Sequence, residues 1–317
     1  MAKSPSSAAS LLFGSTPMRL PSQTDILIDT KNLVARATLA KSYGPELTTR
    51  AGVSTGPFLR AFRMLHALKK RLGGNLVFCF EGGEQKRYAI HPDYKVSRRT
   101  VPIPGEDPTL SLTDQFLPRL VEMFQHMRCS FVTPNAAEAD DAIFSWIKDH
   151  PKRSHVVCST DRDLWYLLKY PNVTVLTAEA EPVSQEKVRT TYHVPPSRIP
   201  LMKALFGDSS DCIPKVPRLG EKDWAPLGAL AVKAKHGRHF FQLLRDNKAC
   251  AVVQLDPKKR DRILEHEAQV TKMLRVTRLR HVAYTTAPRP GSHAKLTAFL
   301  QKYECVSLLP MAELMTL

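Results

Sequence analysis

A chain of 317 residues with 43% hydrophobic residues can bury a sizeable core, as one large domain or two moderate ones. Its 46 Lys and Arg against 30 Asp and Glu leave a net charge of +16, which favours a polyanionic partner such as nucleic acid over an acidic or neutral one. No run approaches the ~18 consecutive apolar residues of a membrane span, and six cysteines without CxxC spacing read as buried thiols in a reducing compartment, not as a disulfide framework.

In chain order, residues 1–23 are serine-rich with an apolar run too short for a signal peptide, and are expected to form a disordered leader. From there short apolar runs alternate with helical patterns. "DILIDT" (25–30), "NLVFCF" (75–80), "HVVCST" (155–160) and "VTVL" (173–176) predict buried strands. Residues 57–72, 112–127 and a segment opening at Glu138 predict helices. Alternation of this kind predicts an α/β fold with a central, mostly parallel sheet flanked by helices. After about residue 180 the strands are expected to stop and a helical lobe broken by proline and glycine to follow. Residues 258–280 carry eight Lys and Arg against three acids, with Ile263, Leu264, Val270 and Leu274 on the apolar side, a solvated helix or an extension of a duplex-binding face. The two histidines of "HGRH" (236–239) have no further ligand nearby.

In a parallel α/β sheet, ligands sit outside the carboxyl ends of the strands. Acids gather at that edge. Asp29 ends the first strand, Glu81 follows the second, Asp161 and Asp163 follow "HVVCST", and Glu138, Asp140 and Asp141 open the helix before it; Asp208 and Asp211 come from "FGDSSDCIP". Singly, each has a plain structural reading: Asn135 with Glu138 resembles a capping box, and Ser159 or Thr160 could cap a helix holding Asp161 and Asp163 in its first turn. Together, nine carboxylates would repel one another unless something positive lay between them. Hard divalent cations answer that, since Mg²⁺ takes carboxylates plus water and phosphate oxygens, and two ions roughly 4 Å apart suit phosphodiester hydrolysis.

"EADD" (138–141) followed by "STDRDLWYLL" (159–168), and "GDSSDCIPKVPRLGEKD" (207–223), resemble the motifs of the 5′ nuclease (flap endonuclease) family. That group includes phage 5′-3′ exonucleases and the 5′ nuclease domain of bacterial DNA polymerase I. The resemblance spans about residues 25–230. It implies a PIN-like nuclease domain over 24–180 with a helical arch at about 82–118, and a lobe over 181–317 with a helix-hairpin-helix element at about 205–235. It places Asp29, Glu81, Glu138, Asp140, Asp141, Asp161, Asp163, Asp208 and Asp211 on the family's metal-binding acids, for two Mg²⁺ ions that Mn²⁺ can replace. Glu81 stands where the family usually has Asp.

The stretch "EQKRYAIHPDYKVSRR" (84–99) resembles the run leading into the arch, and residues 60–100 hold ten Lys and Arg against three acids. On that resemblance Lys95 and Arg98 would contact the scissile phosphodiester, Arg87 would support the arch, and Tyr94 would stack on a base. "IPKVPRLGEKDW" (213–224) resembles the hairpin, whose Lys215, Arg218, Gly220 and Lys222 would bind duplex phosphates, with a potassium ion as in relatives. Lys215 and Arg218 stand where the family commonly has glycine, and Pro226 falls in the helix that should follow.

The implied activity is metal-dependent hydrolysis at 5′ ends or flaps of DNA, and of RNA primers in hybrids, by a monomer in the cytoplasm of a bacterial or phage-infected cell. Two other readings stay open: a PIN-type ribonuclease, and a DNA-structure-binding protein with a degraded metal site.

Overall fold

The computed structural model describes residues 23–40, 47–83, 85–96 and 111–317; residues 1–22 of the expected leader, Arg98 and residues 97–110 of the expected arch lie outside them. Six strands form one sheet in the order β5-β4-β1-β2-β3-β6. They are β1 (Thr24–Asp29), β2 (Asn75–Cys79), β3 (Arg128–Pro134), β4 (Ser154–Cys158), β5 (Val173–Leu176) and β6 (Tyr284–Pro290). The first five pair in parallel and β6 is antiparallel to β3.

β1 is buried along its whole length, so its side chains alternate between two apolar cores. Ile26 and Ile28 pack with Phe58, Phe62, Phe78 and Phe124 from the helices Gly56–Leu72 and Leu112–Gln125. Leu27 faces Ile143, Trp146, Val157 and Leu164 on the other side. β1 has β2 on one flank and β4 on the other, so the strand order reverses there. The carboxyl ends beside β1 therefore form the topological switch point where open α/β sheets bind ligands.

A third core, built around Leu227, Leu230, Phe240, Phe241, Ile263, Val270 and Met273, holds the helical lobe together. The expected long basic helix is two, Pro257–Glu265 and Glu267–Thr277, with Ile263, Val270 and Leu274 inward as the pattern predicts.

Strands do not stop at residue 180. β6 returns to extend the sheet, and the helix His293–Lys302 lays Leu296, Phe299 and Leu300 on the same core as Phe58. β3 also lies outside the four strands that the sequence pattern picked out. Among the described residues, no helix is long and apolar enough to cross a membrane.

Candidate active site

Register places the acids. Asp29 pairs with Cys79, and Ile28 with Cys158, so the residues following β2 and β4 flank the end of β1. Asp29 accepts the Asn32 N–H at 3.1 Å, capping the helix Thr30–Leu39, and the Ser159 hydroxyl at 2.9 Å. Ser159 also accepts the Asp161 N–H at 3.1 Å, and Asp161 caps the next helical turn by accepting the Asp163 N–H at 2.8 Å. Asp161, not Ser159 or Thr160, is thus the cap. Burial raises the Asp29 carboxyl above its ordinary range, with Asp161 adding to the rise against the Asn32 and Ser159 hydrogen bonds. Half-buried Asp140 is pushed well up by desolvation and then by Asp161, Asp29 and Glu138.

The helix Ala139–Asp149 begins on Glu138, and Asn135 does not cap it. Glu81 does part of that work from outside, accepting the Ala139 N–H at 3.1 Å; a carboxylate at a helix N-terminus also meets the positive end of the dipole. Desolvation, and then the charge of Glu138, nonetheless push Glu81 up to about 7.

Asp140 and Asp141 are adjacent on a helix and so face different ways. Asp141, 0% exposed, is turned from the edge: Arg87 makes a two-pronged ion pair with it at 2.5 and 3.0 Å, and the Arg280 N–H reaches it at 2.9 Å. In this structure it stands apart from Asp140, paired with Arg87 as a buried anchor. Arg87 also meets Glu138 at 2.7 Å and donates to the Val276 carbonyl, tying the sheet domain to the helical lobe. Residues 97–110 of the arch that it is expected to support lie outside the described residues. Tyr94, expected to stack on a base, is 3% exposed, packs in the lobe core and donates its hydroxyl to Glu138. Lys95 holds Glu138 through its ammonium.

The second group forms around a residue that the motifs do not include. Asp163, Asp208 and Asp211 bring one carboxylate oxygen each within 4.8 Å of one another. Among them lies the Lys203 ammonium, 2.5 Å from Asp163, 2.5 Å from Asp208 and 3.9 Å from Asp211. Burial works against the Asp208 carboxylate, but the Lys203 and Ser210 hydrogen bonds bring it down to about 2. Asp163 rises to about 6 because desolvation outweighs Lys203. As the one charged residue of the apolar helix Ile199–Phe206, Lys203 signals in the sequence that it has a partner, but not which one.

The chemistry of this donor set fits hard divalent ions: all ligand atoms are carboxylate oxygens, and several carboxyls are raised by burial and then by one another, against the pull of Lys95. A pH dependence follows. Glu81 moves from 4.5 to about 7 on folding, so between those values the folded chain binds more protons than the unfolded chain. The stabilising protonation is present below pH 4.5 and lost as pH rises through 7, and Asp29, Asp140 and Asp163 act in the same direction. Melting temperature in EDTA is therefore expected to fall from pH 5 to pH 8, and saturating Mg²⁺ to flatten the fall. Parallel curves in EDTA and Mg²⁺ would show that the acids do not share an ion.

Lys215, Arg218, Gly220 and Lys222 are all exposed on the turn before the helix Trp224–Lys233, whose base is held by buried Val216 and Leu219. Pro226 falls in the first turn of that helix, where an N–H has no partner to lose. Asp223 accepts the Gly220 N–H at 2.7 Å and pairs with Lys259 at 3.0 Å, so Lys259 is spent on the turn. Arg218 has φ 63°, the left-handed region that favours glycine. Arg218→Gly is expected to stabilise the fold by up to about 1 kcal/mol while lowering the salt slope of duplex binding by about one. Chemical denaturation and a salt titration of binding read the two effects separately.

Residues 24–193 match the family described as 5′-3′ exonuclease, N-terminal resolvase-like domain. A 5′-3′ exonuclease of Halalkalibacterium halodurans is 29% identical over 215 residues, covering 64% of this chain and 68% of that protein. DNA polymerase I of Bacillus subtilis is 30% identical over 205 residues, covering 62% of this chain but only 22% of the polymerase. The bacteriophage T5 flap endonuclease, in a pseudo-enzyme-product complex with DNA and metal ions, shares the fold with a TM-score of 0.57 at 17% identity, covering 92% of this chain and 100% of that one.

Proposed function

The chain belongs to the 5′-3′ exonuclease family, and from that premise we propose that it is a metal-dependent, structure-specific 5′ nuclease cutting phosphodiester bonds at 5′ ends or 5′ flaps of DNA. The observation that carries this reading is two acidic groups on one sheet edge: Asp29, Asp140 and Asp161 with Glu81 and Glu138, and Asp163, Asp208 and Asp211 beside them. Mg²⁺ or Mn²⁺ is the ion class such oxygens hold, and when bound it supplies activation of water and neutralisation of charge on the phosphate.

The protein's own groups supply position and steering. Ser159 and Asn32 fix the Asp29 carboxylate at the end of β1, and Glu81 sets the helix that carries Asp140. Lys95 sits on Glu138 at the rim, where its ammonium can turn to the scissile phosphodiester; Arg98 is assigned the same partner on the family resemblance. The exposed Lys215, Arg218 and Lys222 hold the duplex by its phosphates, without reading its sequence. Water attack in line with the leaving oxygen would leave a 5′-phosphate. RNA–DNA hybrids fit the same contacts, which touch backbone and not base.

The test is cleavage of a 5′-flap duplex labelled at one end, with Mg²⁺, Mn²⁺ or EDTA. Metal-dependent cutting near the flap junction supports the reading. Tight, salt-sensitive binding with no cleavage in either metal would make the chain a DNA-structure-binding protein, and cleavage confined to single-stranded RNA would make it a PIN-type ribonuclease.

A further inference from the structure

A cleft of about 280 Å³ opens between the sheet domain and the helical lobe. Its walls are the far ends of three elements whose near ends adjoin the acids or the hairpin turn. The helical turns Arg162–Lys169 carry Asp163 at their start and reach the cleft with Tyr166 and Lys169, the last about 12 Å along the axis from Asp163. The helix Ile199–Phe206 leads into Asp208 but lines the cleft with Pro200 and Leu201 at its start. The helix Trp224–Lys233 follows the hairpin turn and runs about 15 Å to Ala234 and Lys235.

Arg198, Lys235 and Arg278 join Lys169 around this space, and no acidic residue lines it. Among the described residues none of these four cations forms an ion pair with a carboxylate. Arg198 donates to the Ala234 carbonyl and Lys169 to the Tyr166 hydroxyl, both neutral groups. Burial holds the Lys169 ammonium below its ordinary range, with Lys148 and Arg278 pushing the same way against Tyr170; burial and then Arg278 do the same to Arg198. The helix Gly237–Arg245 also starts here. A Cβ on Gly237 would stand 3.0 Å from Leu274 and 4.0 Å from Arg278 Nη2, so the positive end of that helix and the guanidinium face one space. Cations gathered in a partly buried space without a counter-charge favour a bound anion. Guanidinium groups suit phosphate oxygens, while Leu201, Leu274 and the Tyr166 ring give the same cleft an apolar side.

We propose that this cleft binds the phosphate of a nucleotide, with Arg198 and Arg278 on the phosphate oxygens and Leu201 and Leu274 against its sugar or base. The phosphate comes from a free nucleotide or from a DNA strand, and its chemistry at the cleft is the same. The site lies apart from the acids and the hairpin turn and fills without a divalent ion.

The test is calorimetric titration of the full-length chain in EDTA, where the acidic edge repels anions, with 5′-dAMP, inorganic phosphate and a blunt DNA duplex as probes. A single 5′-dAMP is expected to bind, more tightly than inorganic phosphate, and Arg278→Met to weaken it about tenfold. Lys248→Met, which removes an exposed cation elsewhere, is expected to leave binding unchanged. Arg278→Met breaks no ion pair and is expected to melt no lower than wild type; Lys169→Met is the second variant should it fail to fold. Competition between 5′-dAMP and the duplex would assign the phosphate to the strand, and simultaneous binding would assign it to a free nucleotide. No saturable binding of 5′-dAMP, or equal weakening by Arg278→Met and Lys248→Met, would overturn the proposal.

Discussion

Asp140→Asn is expected to lower Mg²⁺-dependent flap cleavage on the order of 10³-fold, equivalent to about 4 kcal/mol of transition-state stabilisation. The same change is expected to raise the melting temperature of the metal-free protein. Both follow from one position: Asp140 shares its field with Asp161, Asp29 and Glu138, and burial drives its carboxyl up further. Removing its charge relieves that repulsion without an ion and removes a ligand with one. A merely structural carboxylate would give the opposite sign in the metal-free melt, because its loss would break an ion pair. Cleavage at wild-type rate would remove Asp140 from the metal site, whatever the melting curve showed.

Arg87→Met is the substitution expected to cost most stability, about 3–5 kcal/mol. Arg87 pairs with Asp141 through two nitrogens and with Glu138 at 2.7 Å, and all three are buried. Truncation leaves Asp141 with no cation and Glu138 with Lys95 alone at the junction between sheet and lobe. Against a total stability of about 5–15 kcal/mol, such a loss should show as a large drop in the denaturant midpoint. Adding Asp141→Asn to the variant should recover a sizeable part, since the second change removes one stranded charge. A double variant no more stable than Arg87→Met would mean that Asp141 does not depend on Arg87 for its burial.

These two positions also show what the sequence makes legible. The acids are readable because carboxylates at the ends of apolar β-rich runs fall on one edge of a parallel sheet, whatever the details of the fold. Adjacent Asp140 and Asp141 cannot be told apart that way; the helical 100° between them decides that one faces the edge and the other Arg87. Lys203 is hidden because its partners lie 40 residues upstream and 5 and 8 residues downstream, and only the tertiary fold brings them to one ammonium. β6 was invisible for a similar reason. "YTTAPRP" holds two prolines and little apolar surface, so it reads as loop; its pairing with residues about 150 positions earlier makes it a strand, at an edge where proline is tolerated. β3 starts with Arg, Cys and Ser, and its alternation is too weak to stand out beside the runs of β1 and β4.

The late return of β6 also orders events during synthesis. β3 is complete at residue 134 and its partner begins at residue 284. At about 5–20 residues per second, roughly 8–30 s of translation separate them. Throughout that interval one side of β3 offers unpaired backbone groups to any other extended chain. The nascent protein therefore carries an open sheet edge until the sixth strand emerges, and slow or paused translation between those points lengthens its exposure to aggregation and to chaperones.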